Sequence, residues 1–196
     1  MIIAYWVQKL LRDIQSIHPE AHIAGGYLRD LDNGREVKDV DIFLPAGNWA
    51  EAQLVEKMVT RTHPSVVRYC PANGDGVQYG ITDPNVLEAI EYASDDGWPR
   101  VNLIKLMTRK ACDMQINLAR IDFGLCKIGY DGDVYCTPDY IHDREEEQFT
   151  LRSCISEDAF LMSMRRYERL REKYDWPLAI PAEFAHYAAS VEIDLP

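Results

Sequence analysis

The sequence has no apolar run approaching the roughly 18 uninterrupted residues of a membrane span. It also has no C-x-x-C pair, no internal repeat and no low-complexity segment. The first absence argues against a membrane partner. The second leaves Cys70, Cys112, Cys126, Cys136 and Cys154, odd in number, as free thiols rather than a disulfide framework. His18 and His22 have the spacing of two zinc ligands on a helix, but Pro19 sits between them at a helix end and no third ligand is placed nearby. Positive charge is scarce: 21 Lys and Arg stand against 32 Asp and Glu, a net charge of −11. Such a surface repels a phosphate polymer on average, which excludes extended nucleic-acid binding. The charges are mixed rather than blocky, which argues against disorder. The apolar start lacks a preceding basic region and meets Lys9 and Arg12 too soon for a signal peptide. Together these absences predict a soluble, cytoplasmic protein.

What is present is enough for one core: 196 residues, 47% of them hydrophobic. Ile3, Trp6, Val7, Leu10, Leu11 and Ile14 recur at helical spacing. A short strand over 21–24 runs into Gly25-Gly26, followed by a turn or two of helix over 27–31. Residues 37–44 alternate as a strand, 49–60 read as a helix, and 66–69 as a short strand. Over 69–99 two readings compete. Asp83-Pro84 resembles a helix cap, while 86–93 and 100–107 around Ser94-Asp95-Asp96-Gly97 read as a hairpin, which is preferred. Beyond it lie a helix over 108–119, a strand over 120–130 and a return strand over 134–136 after Asp131-Gly132. From Arg144 onward the pattern is helical, broken at Pro177 and Pro181. The alternation predicts an α+β domain over 1–143 with a helical C-terminal appendage over 144–196.

The informative stretch is Gly25-Gly26-Tyr27-Leu28-Arg29-Asp30, followed shortly by Asp39-Val40-Asp41. Two glycines between a strand and a helix let the backbone approach a ligand, and the N–H groups of the turn form an anion site. Arg29, one turn in, adds a charged fork for phosphate. Asp39 and Asp41, two apart on a strand, project from the same face about 6.5–7 Å apart at Cα. Paired carboxylates beside a phosphate cradle suit two Mg²⁺ ions bridging a triphosphate.

In order and spacing this stretch resembles the signature of the DNA polymerase β-like nucleotidyltransferase superfamily. It is most similar to the CCA-adding enzyme and poly(A) polymerase branch, with its Gly-Gly-x-x-Arg-Asp, spacer and Asp-x-Asp. The paired strands over 101–106 and 121–127 look like those of small, stand-alone, phage-type members. The segment from Glu157 to Tyr167, with Arg165 and Arg166, is similar to the arginine-bearing helix of the CCA-adding branch. The resemblance implies a nucleotidyltransferase fold, a mixed sheet flanked by helices. It implies that Gly25 and Gly26, with Arg29, hold the phosphates of an NTP, and that Asp30 orders the turn or touches the nucleotide. It further implies that Asp39 and Asp41 bind the metals, and that an acceptor hydroxyl attacks the α-phosphorus with loss of pyrophosphate. Arg165, Arg166, Arg169, Arg171 and Lys173 make a locally positive stretch, which is either an ordinary solvated helix face or a set of which some meet the base, the triphosphate tail or an acceptor.

The third carboxylate of many superfamily members is missing at Asn102, whose amide neither takes a proton nor holds Mg²⁺ strongly. Asp122 is the remaining candidate if its strand leaves it on the face opposite Ile121, Phe123 and Leu125; otherwise it is a strand carboxylate paired with a Lys or Arg. Asp131-Gly132-Asp133 reads as a hairpin tip, and Asn73-Gly74-Asp75-Gly76 as a loop without the glutamate of a calcium site. The acceptor stays open: an RNA end such as a tRNA 3′ end, a protein hydroxyl or a small molecule. The alternative is a catalytically lapsed member that binds a nucleotide or a protein.

Overall fold

The structure is a computed structural model that describes residues 1–71 and 83–190. The loop expected over Asn73–Gly76 lies outside the described residues. α1 (Tyr5–Gln15) buries Val7, Leu10, Leu11 and Ile14. Each such side chain contributes about 1.5–3 kcal/mol when fully buried. β1 (His22–Ala24), α2 (Gly26–Asp32) and β2 (Asp39–Pro45) follow. α3 (Trp49–Thr60) starts at a reciprocal cap, where the Asn48 side chain accepts from the Ala50 and Glu51 N–H groups and the Asn48 N–H donates to Glu51. β3 (Ser65–Pro71), β4 (Val86–Ala93) and β5 (Arg100–Leu106) make an antiparallel meander, so the hairpin reading was the right one.

The strands form a seven-stranded sheet in the order β3-β4-β5-β2-β1-β6-β7, where β6 is Ile128–Tyr130 and β7 is Val134–Cys136. Within this sheet, among the described residues, only β2 and β5 are parallel; every other pairing is antiparallel. Alternation sorts β2 by face. Val40, Ile42 and Leu44 join Val101 and Leu103 in the core that α1 and α3 cover, with Val55 and Val59 of α3. Phe43 joins Ala89, Ile104, Leu106 and Leu118 on the other side. Asp39 and Asp41 share the Phe43 side.

Two expectations need correction here. The helix over 108–119 is shorter: Asp113 caps α4 (Met114–Arg120) by accepting from the Ile116 N–H, and tight turns fill the residues before it. The strand over 120–130 exists only as β6. Ile121 ends α4, Phe123 makes an isolated bridge with Leu151, and Gly124–Cys126 is a 3₁₀ turn. The apolar alternation of Ile121, Phe123 and Leu125 therefore reflects a buried turn rather than a pleat.

Downstream, α5 (Pro138–Glu145) is capped by Thr137 and spans the expected boundary at residue 143. The region from Arg144 is not continuously helical, since β8 (Phe149–Thr150) pairs in parallel with β9 (Leu178–Ala179). Between them runs α6 (Glu157–Tyr174), capped by Ser156, with Glu157 and Asp158 in its first turn and Arg171 and Lys173 in its last, where they complement the helix dipole. Its Phe160, Met164, Tyr167, Leu170 and Tyr174 belong to the same core as Leu28 and Phe123. α7 (Ala185–Ser190) closes the described chain. No helix among the described residues is long and apolar enough to cross a membrane.

Candidate active site

A cavity of about 750 Å³ opens over the Phe43 side of the sheet, between the start of α2 and one face of α6. Its floor follows from strand register. Asp41 is opposite Asn102, Asn102 opposite Glu91, and Glu91 opposite Arg68, so one row crosses β2, β5, β4 and β3. Asp39 lies one pleat away, opposite Arg100. All six line the cavity.

The paired aspartates are where the sequence places them, on one face of β2. Asp41 accepts a 2.8 Å hydrogen bond from the Asn102 amide. Burial and the neighbouring Asp39 nonetheless push its pKa up to about 7, against Asn102, Arg166 and Arg29. The Asp39 carboxylate makes no hydrogen bond among the described residues. Burial raises its pKa too, with Lys38 opposing and Glu91 adding to the shift. The pair thus holds more negative charge than its protein surroundings neutralise.

The Gly-Gly turn departs from the expected cradle in one respect. Gly25 has φ +81°, which an L side chain rarely adopts, so glycine is required there. Its N–H, however, donates to the Ile128 carbonyl at 3.0 Å and is not available to an anion. The groups left at the turn are the first N–H donors of α2, from Gly26 on.

Arg29 and Asp30 are buried under α6. Arg29 Nε is 2.7 Å from Asp30 Oδ1, its Nη1 3.1 Å from Cys126 Sγ, and its guanidinium lies over the Tyr174 ring. Burial works against its charge, but Cys126, Asp30 and Tyr174 hold its pKa above the ordinary arginine value. Asp30 also accepts from the Tyr174 hydroxyl at 2.7 Å and from Lys173. Asp30 therefore ties the turn to α6.

Asp122 is not on a strand beside Asp39 and Asp41. The neighbours of β2 are β5 and β1, and Asp122 lies in the loop after α4. Its carboxylate accepts from Arg166 Nη1 at 2.8 Å, from the Phe123 N–H at 2.9 Å and from Ser163 Oγ at 3.1 Å. It lines the cavity as half of an ion pair, the second role considered for it. Among the described residues no group of three His, Cys, Asp or Glu side chains comes together as a metal site.

On α6, Met162, Ser163, Arg166, Arg169 and Lys173 face the cavity, at helical spacing. Arg165 is on the exposed face, away from it. The side chain of Arg169, a member of the positive stretch over 165–173, makes no hydrogen bond or ion pair among the described residues. Glu91 was missed. Its position becomes visible only once β4 is paired with β5, although the alternation of Ala89 and Glu91 already put both on one face.

No protein-family model and no curated protein matches the chain. Solved structures do. A CCA-adding enzyme in complex with CTP has a TM-score of 0.61 at 15% identity, covering 97% of this chain and 44% of the enzyme. The Thermotoga maritima CCA-adding enzyme complexed with tRNA_CCA has 0.59 at 16%, covering 97% and 43%. A CCA-adding enzyme in complex with ATP has 0.59 at 16%, covering 97% and 44%. The chain thus spans less than half the length of these enzymes, and what the likeness establishes is the fold.

Proposed function

We propose that this chain, which has the nucleotidyltransferase fold, is a Mg²⁺-dependent nucleotidyltransferase that moves a nucleoside monophosphate from an NTP to an acceptor hydroxyl and releases pyrophosphate. The observation that carries the reading is Asp39 and Asp41 on one face of β2, under-neutralised, beside a glycine turn and the cationic face of α6. The donor set fits Mg²⁺, which takes one or two carboxylates and completes its shell with water and substrate phosphate rather than with an all-protein cage. When bound, two such ions would neutralise the reacting phosphate and acidify the acceptor hydroxyl.

The remaining work falls to the chain. The start of α2 would receive the terminal phosphates, and Arg166 and Arg169 would add positive charge from α6. Arg29, Asp30, Tyr174 and Lys173 would keep those two elements in register, so that the α-phosphorus is held for in-line attack. The acceptor oxygen forms its bond to that phosphorus as the bond to the bridging oxygen breaks, and pyrophosphate leaves. CTP and ATP are the first NTPs to try, given the bound nucleotides of the neighbouring structures. An RNA end, a protein hydroxyl and a small molecule are all acceptors of the required chemistry, and the small phage-type kind and cytoplasmic location belong to the same proposal.

A catalytically lapsed nucleotide- or protein-binding protein is the second reading. It is favoured by Asn102, which puts an amide next to Asp41. Against it stands the retained pair of carboxylates, for which no cation lies at hydrogen-bond distance among the described residues. Incubation with Mg²⁺ and ATP or CTP labelled at the α-phosphorus separates the two. Transfer of label by the wild type and none by the Asp39→Ala, Asp41→Ala double variant is expected. Labelling by that variant would remove these residues as the metal site, and no transfer to any acceptor offered would favour the lapsed protein.

A further inference from the structure

The cavity extends well beyond the aspartate pair, and its two ends differ in kind. β1 and α2 lie on one side of β2, and β5, β4 and β3 on the other. If the phosphates are received at α2, in-line displacement puts the acceptor on the opposite side of the α-phosphorus, over β5 and β4. There the polar row of Asp41, Asn102 and Glu91 is followed by an apolar one. Phe43 is opposite Ile104, Ile104 opposite Ala89, and Ala89 opposite Cys70. Phe43, Ala89 and Cys70 line the cavity, joined by Val86. From β2 to β4 this floor spans about 10 Å, room for one ring.

Two arginines of this lobe are paired within the protein. Arg100 pairs with Glu91, and Arg120 Nε is 2.9 Å from Asp83 Oδ2. Arg120 also donates to the Ala111 and Ile116 carbonyls. Arg169 and Lys38, cations of the cavity without such a partner among the described residues, lie on α6 and just before β2. A polynucleotide end needs cations for its phosphates on the side it enters from. An apolar floor under internally paired charges suits an uncharged ligand instead.

We propose that the lobe over Phe43, Val86, Ala89 and Cys70 is the acceptor subsite, and that it takes a small, non-phosphorylated hydroxyl compound with an apolar ring rather than a polynucleotide end. The inference rests on the nucleotidyltransferase reading and names the substrate class of that site. In the transfer the acceptor oxygen bonds to the α-phosphorus, pyrophosphate departs with the electrons of the broken bond, and the hydroxyl proton passes to solvent.

Benzyl alcohol is a minimal probe. The full chain is given Mg²⁺ and α-labelled ATP or CTP, with benzyl alcohol in one arm and an RNA oligonucleotide in the other. A labelled benzyl nucleotide ester is expected, with a salt dependence between about 50 and 200 mM no steeper than that of NTP binding itself, whereas transfer to a polynucleotide acceptor would fall more steeply over that range. Ala89→Phe fills the lobe and should lower benzyl transfer by about tenfold or more, the scale on which pocket shape discriminates. The thermal shift with Mg²⁺ and NTP should be unchanged. Ala89→Leu fills less and serves if the larger residue prevents folding. Labelling of RNA but not of benzyl alcohol, or full benzyl transfer by a folded Ala89 variant, would overturn the proposal. An NTP-dependent thermal shift with no benzyl transfer would overturn it while leaving nucleotide binding intact. No thermal shift and no pyrophosphate release would overturn the parent reading as well.

Discussion

Replacing Asp41 by Asn should make the metal-free protein more stable, by an amount that depends on pH. Burial and Asp39 raise the Asp41 pKa from 3.8 to about 7. Below the ordinary carboxylate range Asp41 is protonated in folded and unfolded chains alike, and its charge costs nothing. As pH rises from about 4 to about 7, the unfolded chain has lost the proton that the folded chain still holds, so stability falls through that window. At about 1.4 kcal/mol per unit, a rise from 3.8 to about 7 would cost about 4 kcal/mol. Asp41 is only partly buried, so solvent screens part of the charge, and about 2 kcal/mol is the expected gain from removing it. Asn keeps an oxygen to accept the Asn102 hydrogen bond, so the substitution isolates the charge. For a chain of this size the gain is about 4–8 °C in Tm at about pH 8, shrinking towards zero at about pH 4. Melting curves of both proteins in chelator across that range measure it. Equal Tm values at pH 8, or a difference that does not change with pH, would refute the reasoning.

The other perturbations test separate parts of the same frame. Mg²⁺ with a bound NTP at 100 times its Kd should add about 2.7 kcal/mol to the wild type, and little to the Asp39→Ala, Asp41→Ala variant; thermal melts read this directly. Asp30→Ala strips the buried Arg29 of its carboxylate partner and should cost about 3–5 kcal/mol in urea unfolding. A loss below about 1 kcal/mol would mean that the ion pair does not fasten α2 to α6. Gly25→Ala must adopt φ +81° and should cost about 1–3 kcal/mol with an unchanged m-value. Gly124→Ala puts a Cβ 2.5 Å from Asp143 Oδ2, which also receives the Leu125 and Thr150 N–H groups. It should cost about 1–3 kcal/mol by overpacking.

Local patterns were the legible ones. The Gly25-Gly26 turn, the Asp39–Asp41 strand, α1, α3 and the β4–β5 hairpin each follow from local spacing, and the nucleotidyltransferase fold was implied by the family resemblance that the first two carry. What was hidden depends on pairing between distant segments. Glu91 joins the site because β4 lies beside β5, and Asp122 leaves the metal pair because β1, not its own segment, lies beside β2. Arg165 and Arg166 are adjacent in sequence, yet helix phase turns one to solvent and the other to Asp122. Gly25 looked like an anion donor because its ladder partner Ile128 is a hundred residues away.

The central claim is that Asp39 and Asp41 hold metals for nucleotidyl transfer. Phosphorus NMR of the wild type with Mg²⁺ and ATP or CTP, in the presence of an acceptor, tests it most directly, because the leaving group reveals which phosphorus was attacked. The account predicts pyrophosphate as the product, absent without Mg²⁺ and absent in Asp39→Asn and Asp41→Asn variants that remain folded. Orthophosphate released in place of pyrophosphate, or pyrophosphate produced undiminished by either variant, would contradict it.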